Sequence, residues 1–106
     1  MNIKKLILPA LVAAAPLFYS CGEQTTDVVE SGTYQGVLHE VEPEKTEIYV
    51  KTDDGKLLEL YFTENTTLTH QGETAPFDHL KEGGRVEVQV EKVGNRLDPI
   101  AVKILD

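Results

Sequence analysis

From Gly32 onward, apolar and polar residues alternate with a period of two in short runs, separated by glycine, asparagine or aspartate. A period of two sends successive side chains to opposite faces of a strand, so each run predicts a strand with one face in a core. TYQGVLHEV, Thr33–Val41, predicts the first, with Tyr34, Leu38 and Val41 inward. Leu38 and Val41 differ in parity, which requires a bulge near His39 and Glu40, and the interior Gly36 predicts a bend or bulge of its own. EIYVKT, Glu47–Thr52, places Ile48 and Val50 inward and Glu47 and Lys51 outward. Asp53-Asp54-Gly55-Lys56 then reads as a hairpin turn, because Asp-Gly accepts the positive φ that tight turns need. In LLELYF, Leu58, Leu60 and Phe62 share one face.

Thr66–His70 predicts a short strand. Thr74–Glu82 holds a proline and a Phe77-x-x-Leu80 pair, which predicts one helical turn packed across the end of a barrel, with Asp78 serving that turn. Gly83-Gly84 permit a sharp reversal into RVEVQVEKV, Arg85–Val93. Here Val86, Val88 and Val90 face in while Glu87, Gln89 and Glu91 face out. Gly94-Asn95 turns into a last strand with Ile100, Val102 and Ile104 inward. Pro99 has no N–H to give to a ladder, which places the start of that strand at a sheet edge. No segment carries an amphipathic helix of useful length. The class this predicts is all-β, a small five- to six-stranded barrel with one short helical turn.

Gly36-x-Leu38-x-x-Val41, Asp54-Gly55-Lys56, Asn65-Thr66 and Phe77-x-x-Leu80-x-x-Gly83-x-x-Val86-x-Val88 together resemble the small OB-like barrel domains of bacterial exported proteins and lipoproteins. The layout is also similar to that of the periplasmic bacterial OB-fold family. The resemblance covers nearly all of Gly32 to Asp106 and implies a partly open five-stranded barrel. Its motifs are turn glycines and core valines, so it implies a fold and names no catalyst.

The N-terminal residues follow a different pattern. Lys4 and Lys5 precede an uncharged apolar run from Leu6 to Phe18, interrupted by Pro9 and Pro16 and followed by small Ser20. This is the layout of a secretory signal, too short for a spanning helix, which needs about 20 apolar residues. Cys21, the sole cysteine of the 106 residues, has no intramolecular disulfide partner. The stretch LFYSCGE around it resembles the lipobox of bacterial lipoproteins, with Phe18 where that family prefers leucine and Leu17 one step earlier. The resemblance implies cleavage before Cys21, acylation of Cys21 and stable membrane attachment. Gly22, in place of the aspartate that retains such proteins at the inner membrane, implies the outer membrane. GEQTTDVVES, residues 22–31, is polar and aperiodic and reads as a flexible tether. The expected organisation is therefore a signal peptide over 1–20, a lipidated cysteine and tether over 21–31, and a barrel over 32–106.

Charge narrows the function. Without Lys4 and Lys5 the mature chain has 8 basic and 18 acidic side chains, a net charge of −10. That field repels phosphate backbones, which excludes nucleic acid as a partner and favours neutral or cationic ligands. Of three histidines, His70 and His79 flank one connection and can approach each other, while His39 stands apart. No two have the close spacing of metal ligands on one element, and all three read as solvent-facing. A soft-metal carrier would use methionine ligands; the only methionine, Met1, leaves with the signal, so a copper carrier is set aside. Asp53-Asp54-Gly55 lacks the acidic spacing of an EF-hand loop and reads as turn chemistry, and Glu40, Glu42, Glu44 and Glu47 read as a solvated acidic stretch. Nothing supplies a nucleophile in a pocket, so neither catalysis nor a cofactor is expected. Tyr49 and Tyr61 have parity opposite to the core, which makes them the candidate ligand-binding residues, as a stacking surface or as sheet-stabilising neighbours. The expected function is a membrane-attached, non-enzymatic binding or interaction module of the envelope, its partner an unknown protein or a neutral or cationic small ligand. The alternatives are an accessory structural subunit of an outer-membrane assembly and a metal-binding or enzymatic domain.

Overall fold

The computed structural model describes residues 25–106; the signal segment, Cys21 and residues 22–24 lie outside the described residues. Seven strands follow one another: β1 (Gly32–Glu42), β2 (Glu47–Thr52), β3 (Leu57–Tyr61), β4 (Thr67–His70), β5 (Glu73–Thr74), β6 (Arg85–Val93) and β7 (Arg96–Ile104). They form one sheet in the order β3-β2-β1-β6-β7-β4-β5. All pairings are antiparallel except β4 with β7, which is parallel. β3 lies on β2 and β4 lies on β7, so the two occupy one barrel position as a strand broken at Phe62–Thr66. Joining them rolls the sheet into an OB-like barrel. A 3-10 turn at Phe77–His79 precedes β6. Phe77 meets Phe62 edge-to-face, with ring centroids 5.1 Å apart, and Leu80 is buried behind it, so the single expected turn does cap the barrel.

The core is the set of inward positions: Leu38, Ile48, Val50, Leu58, Leu60, Val86, Val88 and Val102 are among its most buried members. Burying each such side chain contributes about 1.5–3 kcal/mol. The β1 bulge sits where the parity requires it: Leu38 pairs with Val50 and Glu40 with Tyr49, leaving His39 as the extra residue.

Two of the strand expectations need correction. At Gly36 the ladders to both neighbours are regular, with Thr52 on one side and Val86 on the other. A Cβ on Gly36 would lie 2.2 Å from the Lys51 carbonyl oxygen, so close backbone approach, with no bulge at that position, explains the glycine. Ile100 is not inward but 38% exposed. Gln89 pairs with Ala101 and Val90 with Pro99, so Ile100 is the extra residue of a second bulge and its side chain turns out. Leu97 and Pro99 fill the inward positions instead. The last strand does begin at a sheet edge, as Pro99 implied. It starts at Arg96 with β6 as its one ladder partner there, and Pro99 is tolerated because it flanks the bulge and the β4 ladder begins only at Ala101.

Candidate functional site

The turn after β2 fixes the register of the β2–β3 hairpin. Thr52 is hydrogen-bonded through Oγ1 to the Asp54 carboxylate and accepts the Lys56 N–H at 2.9 Å. Gly55 supplies a φ of +93°. Asp53 is bidentate to the Arg85 guanidinium at 3.0 and 3.2 Å. Both aspartates therefore serve the turn and its attachment to β6, as the spacing suggested.

That register pairs Glu47 with Tyr61 and Tyr49 with Glu59. The outer face of the hairpin is a checkerboard of two carboxyls and two phenols, the tyrosines on one diagonal. Tyr61 is 49% exposed; Tyr49 is half-buried and donates to Glu59 Oε2 at 3.3 Å. Glu47 was expected outward in solvent, yet it is 1% exposed. Its parity is as read. Burial comes from its neighbours, with Tyr61 opposite on β3 and Glu42 opposite on β1. Its Oε2 has no hydrogen-bond partner.

Burial, reinforced by the Glu59 carboxyl, raises the pKa of Glu47, while the hydrogen bond from Glu47 lowers that of Glu59. The two shifts are opposite, so Glu47 is the carboxyl that binds a proton more readily and Glu59 the one that keeps its charge more readily. Hydrogen bonding to the two glutamates pushes Tyr61 up to about 12. Burial first, then Glu47, drives Tyr49 above the ordinary phenol range. Both tyrosines are thus neutral phenols. At the β1 border the hydrogen bond with Glu40 raises Glu42.

Beside this face lies a groove of about 340 Å³. One wall is the edge of β3 at Glu59, Tyr61 and Thr63, and the other is the β6–β7 turn at Asn95–Asp98. Thr26–Val28 close one end. Arg96 on the far wall is paired with Asp98 at 2.8 Å. Thr26–Val28 belong to the segment read as a tether, and the described part of it is fastened to the barrel. Asp27 N donates to the Leu57 carbonyl at 2.8 Å and Leu57 N donates to Asp27 Oδ2 at 3.0 Å. Tyr34 donates to the Glu30 carbonyl at 2.7 Å, and Ser31 Oγ accepts from Lys92 N at 2.9 Å.

The histidines lie elsewhere. His70 and His79 do approach, ring centroids 5.8 Å apart and nearly perpendicular. They border a smaller cavity of about 210 Å³ together with Lys81, Arg85 and Asp106. His39 is exposed at the β1 bulge. Among the described residues no group of three or more His, Cys, Asp or Glu is placed to hold a metal ion. Parity marks Tyr49 and Tyr61 in the sequence but does not mark Glu47 and Glu59 as their partners. The signal was present, because setting the hairpin on its Asp-Gly turn pairs 47 with 61 and 49 with 59. Asp27 and the Asn95–Asp98 wall carried no such signal, as they reach the groove only through tertiary folding.

No family model matches the chain, and no curated protein matches it significantly. Solved structures do match. A tryptophan-to-alanine variant of CusF from Escherichia coli with Cu(II), and CusF with Ag(I), each align with a TM-score of 0.58 at 15% identity, covering 73% of this chain and 94% of theirs. Apo-CusF aligns with a TM-score of 0.56 at 15% identity, covering 79% of this chain and all of that one. At this identity the likeness establishes the fold, a small OB-like barrel.

Proposed function

We propose that this chain is a lipid-anchored, non-enzymatic binding module of the bacterial envelope that takes a cationic ligand in the groove beside β3. One observation carries the reading: the groove joins a charged carboxylate, Glu59, to an exposed neutral phenol, Tyr61, with Asp27 and Asp98 on its other walls. A carboxylate attracts a cation, and a tyrosine face adds roughly 0.5–2 kcal/mol through its quadrupole. The net charge, −8 over the whole chain and −10 without Lys4 and Lys5, concentrates cations around the domain. The volume falls in the range of small-ligand sites, about 300–1,000 Å³. Spermine titrated calorimetrically into the protein is the test. Glu59→Gln or Tyr61→Ala is expected to weaken binding about tenfold, which is ~1.4 kcal/mol. Wild-type affinity in both variants would remove the groove from the account.

The anchor has its own test. Cys21→Ala is expected to leave the precursor uncleaved or the product in the soluble fraction. Mature protein of that variant still sedimenting fully with membranes would overturn lipidation.

The fold likeness to CusF, whose structures hold Cu(II) and Ag(I), favours a second reading as a metal-binding domain. The donor set does not fit a soft ion. Among the described residues there is neither methionine nor cysteine, and soft ions select thioether and thiolate ligands. What remains is the His70–His79 pair. Metal analysis of the purified protein decides between the readings, with near-stoichiometric copper or silver lost in His70→Ala favouring the second.

A further inference from the structure

The groove has a backbone side as well as a side-chain side. Lys56 O accepts from Thr52 N, and Phe62 N donates to Thr46 O. Even-numbered residues of this stretch thus turn their N–H and C=O groups toward β2. Alternation along a strand turns those of Leu57, Glu59 and Tyr61 the other way, into the groove. Among the described residues no strand pairs with β3 on that side. Leu57 is already satisfied in a strand-like manner, giving its N–H to the Asp27 carboxylate and taking the Asp27 N–H on its carbonyl. Among the described residues, the chain's own segment occupies only this first position of an added strand. Glu59 and Tyr61 offer the next two, about 6.7 Å apart in an extended strand.

We propose that an extended basic peptide adds to β3 as a strand, pairing its backbone with Glu59 and Tyr61. This rests on the groove reading above and names its ligand class. Strand addition at an open edge draws affinity from main-chain hydrogen bonds and specificity from alternate side chains. In such a pairing every second side chain of the peptide stands on the outer face beside Glu59 and Tyr61, where a lysine or arginine meets both a carboxylate and a phenol face. Three carboxylates, Asp27, Glu59 and Asp98, face one guanidinium, and that guanidinium is already paired with Asp98. The same charges oppose a second copy of the chain, because joining two β3 edges sets Glu59 near Glu59.

The experiment uses the full chain extracted from membranes in detergent and a fluorescent nine-residue peptide of alternating lysine and threonine. Three companions separate the causes: the same peptide with alternate backbone nitrogens methylated, a glutamate–threonine peptide, and spermine as competitor. Strand addition is expected to give binding that drops at least tenfold on N-methylation, no binding of the acidic peptide, and slowed amide exchange at Glu59 and Tyr61. Equal binding of the methylated peptide overturns strand addition while the cationic groove stands. Failure of both the lysine peptide and spermine to bind overturns both readings. A concentration-dependent dimer with protected Glu59 and Tyr61 amides overturns the peptide in favour of a second copy.

Discussion

At the scale of single residues, Glu47 is the least comfortable group in the barrel. A carboxyl whose folded pKa is raised contributes stability below its unfolded value and loses that contribution as pH rises through the folded value. At neutral pH the fold thus carries the cost of either a proton or a second buried charge there. Glu47→Gln removes the titration while keeping a donor toward Glu59. It is expected to raise stability at pH 7 by about 1 kcal/mol, some 4–8 °C in a domain of this size, with the gain shrinking toward pH 4. Glu59 has the opposite sign. Its lowered pKa contributes above the unfolded value and is lost as pH falls through the folded one, so Glu59→Gln is expected to lower stability at pH 7. Thermal melts at both pH values check the pair, and a Glu47→Gln variant less stable at pH 7 than wild type would contradict the raised pKa of Glu47. Gly36 makes a simpler case. Its missing Cβ is what lets β1 approach Lys51, and Gly36→Ala is expected to cost about 1–3 kcal/mol in a urea titration, as overpacking does.

At the scale of elements, the strands show what alternation reveals and where it fails. Val86, Val88 and Val90 on β6 face inward as the pattern implies, as do Ile48 and Val50 on β2, because their burial follows directly from a period of two. The β1 bulge was legible because Leu38 and Val41 could not share a face otherwise. The β7 bulge was not, since Ile100 is as apolar as the residues it was grouped with, and only its pairing with β6 turns it outward. Two substitutions separate the cases. Leu60→Ala in the core is expected to cost 2–5 kcal/mol, and Ile100→Ser to stay within about 0.5 kcal/mol. Comparable losses in denaturant midpoint would place Ile100 in the core after all. The depth of Glu47's burial was hidden too: the turn pairs it with Tyr61, but how far its neighbours cover it is a matter of packing.

At the scale of the molecule, composition and topology act together. The acidic balance, −8 over the whole chain, was plain from the sequence, and so was the barrel, whose turns and core valines are local features. The groove was not, because it forms where β3 meets no strand and the start of β7 stands opposite, a property of the closed sheet alone. The segment read as a free tether is also shorter than its composition suggests, since Asp27, Glu30 and Ser31 are held on the barrel. With Cys21 acylated, few residues would separate lipid from domain, and the groove end closed by Thr26–Val28 would lie near the membrane. OB-folds that bind single strands combine a positive groove with stacked aromatics. Here the field is negative, and labelled oligonucleotides are expected to show no affinity at physiological salt; micromolar binding with a steep salt dependence would contradict that.

The central claim is that the groove between β3 and the β6–β7 turn is where this domain meets a cationic partner. Residue-resolved amide shifts of the isotopically labelled protein, recorded during a spermine titration at low salt, test it most directly. Shifts concentrated on Asp27, Glu59, Tyr61 and Arg96–Asp98, and abolished in Glu59→Gln, are the expected result. Shifts spread evenly over the acidic surface, or centred on His70 and His79, would contradict it.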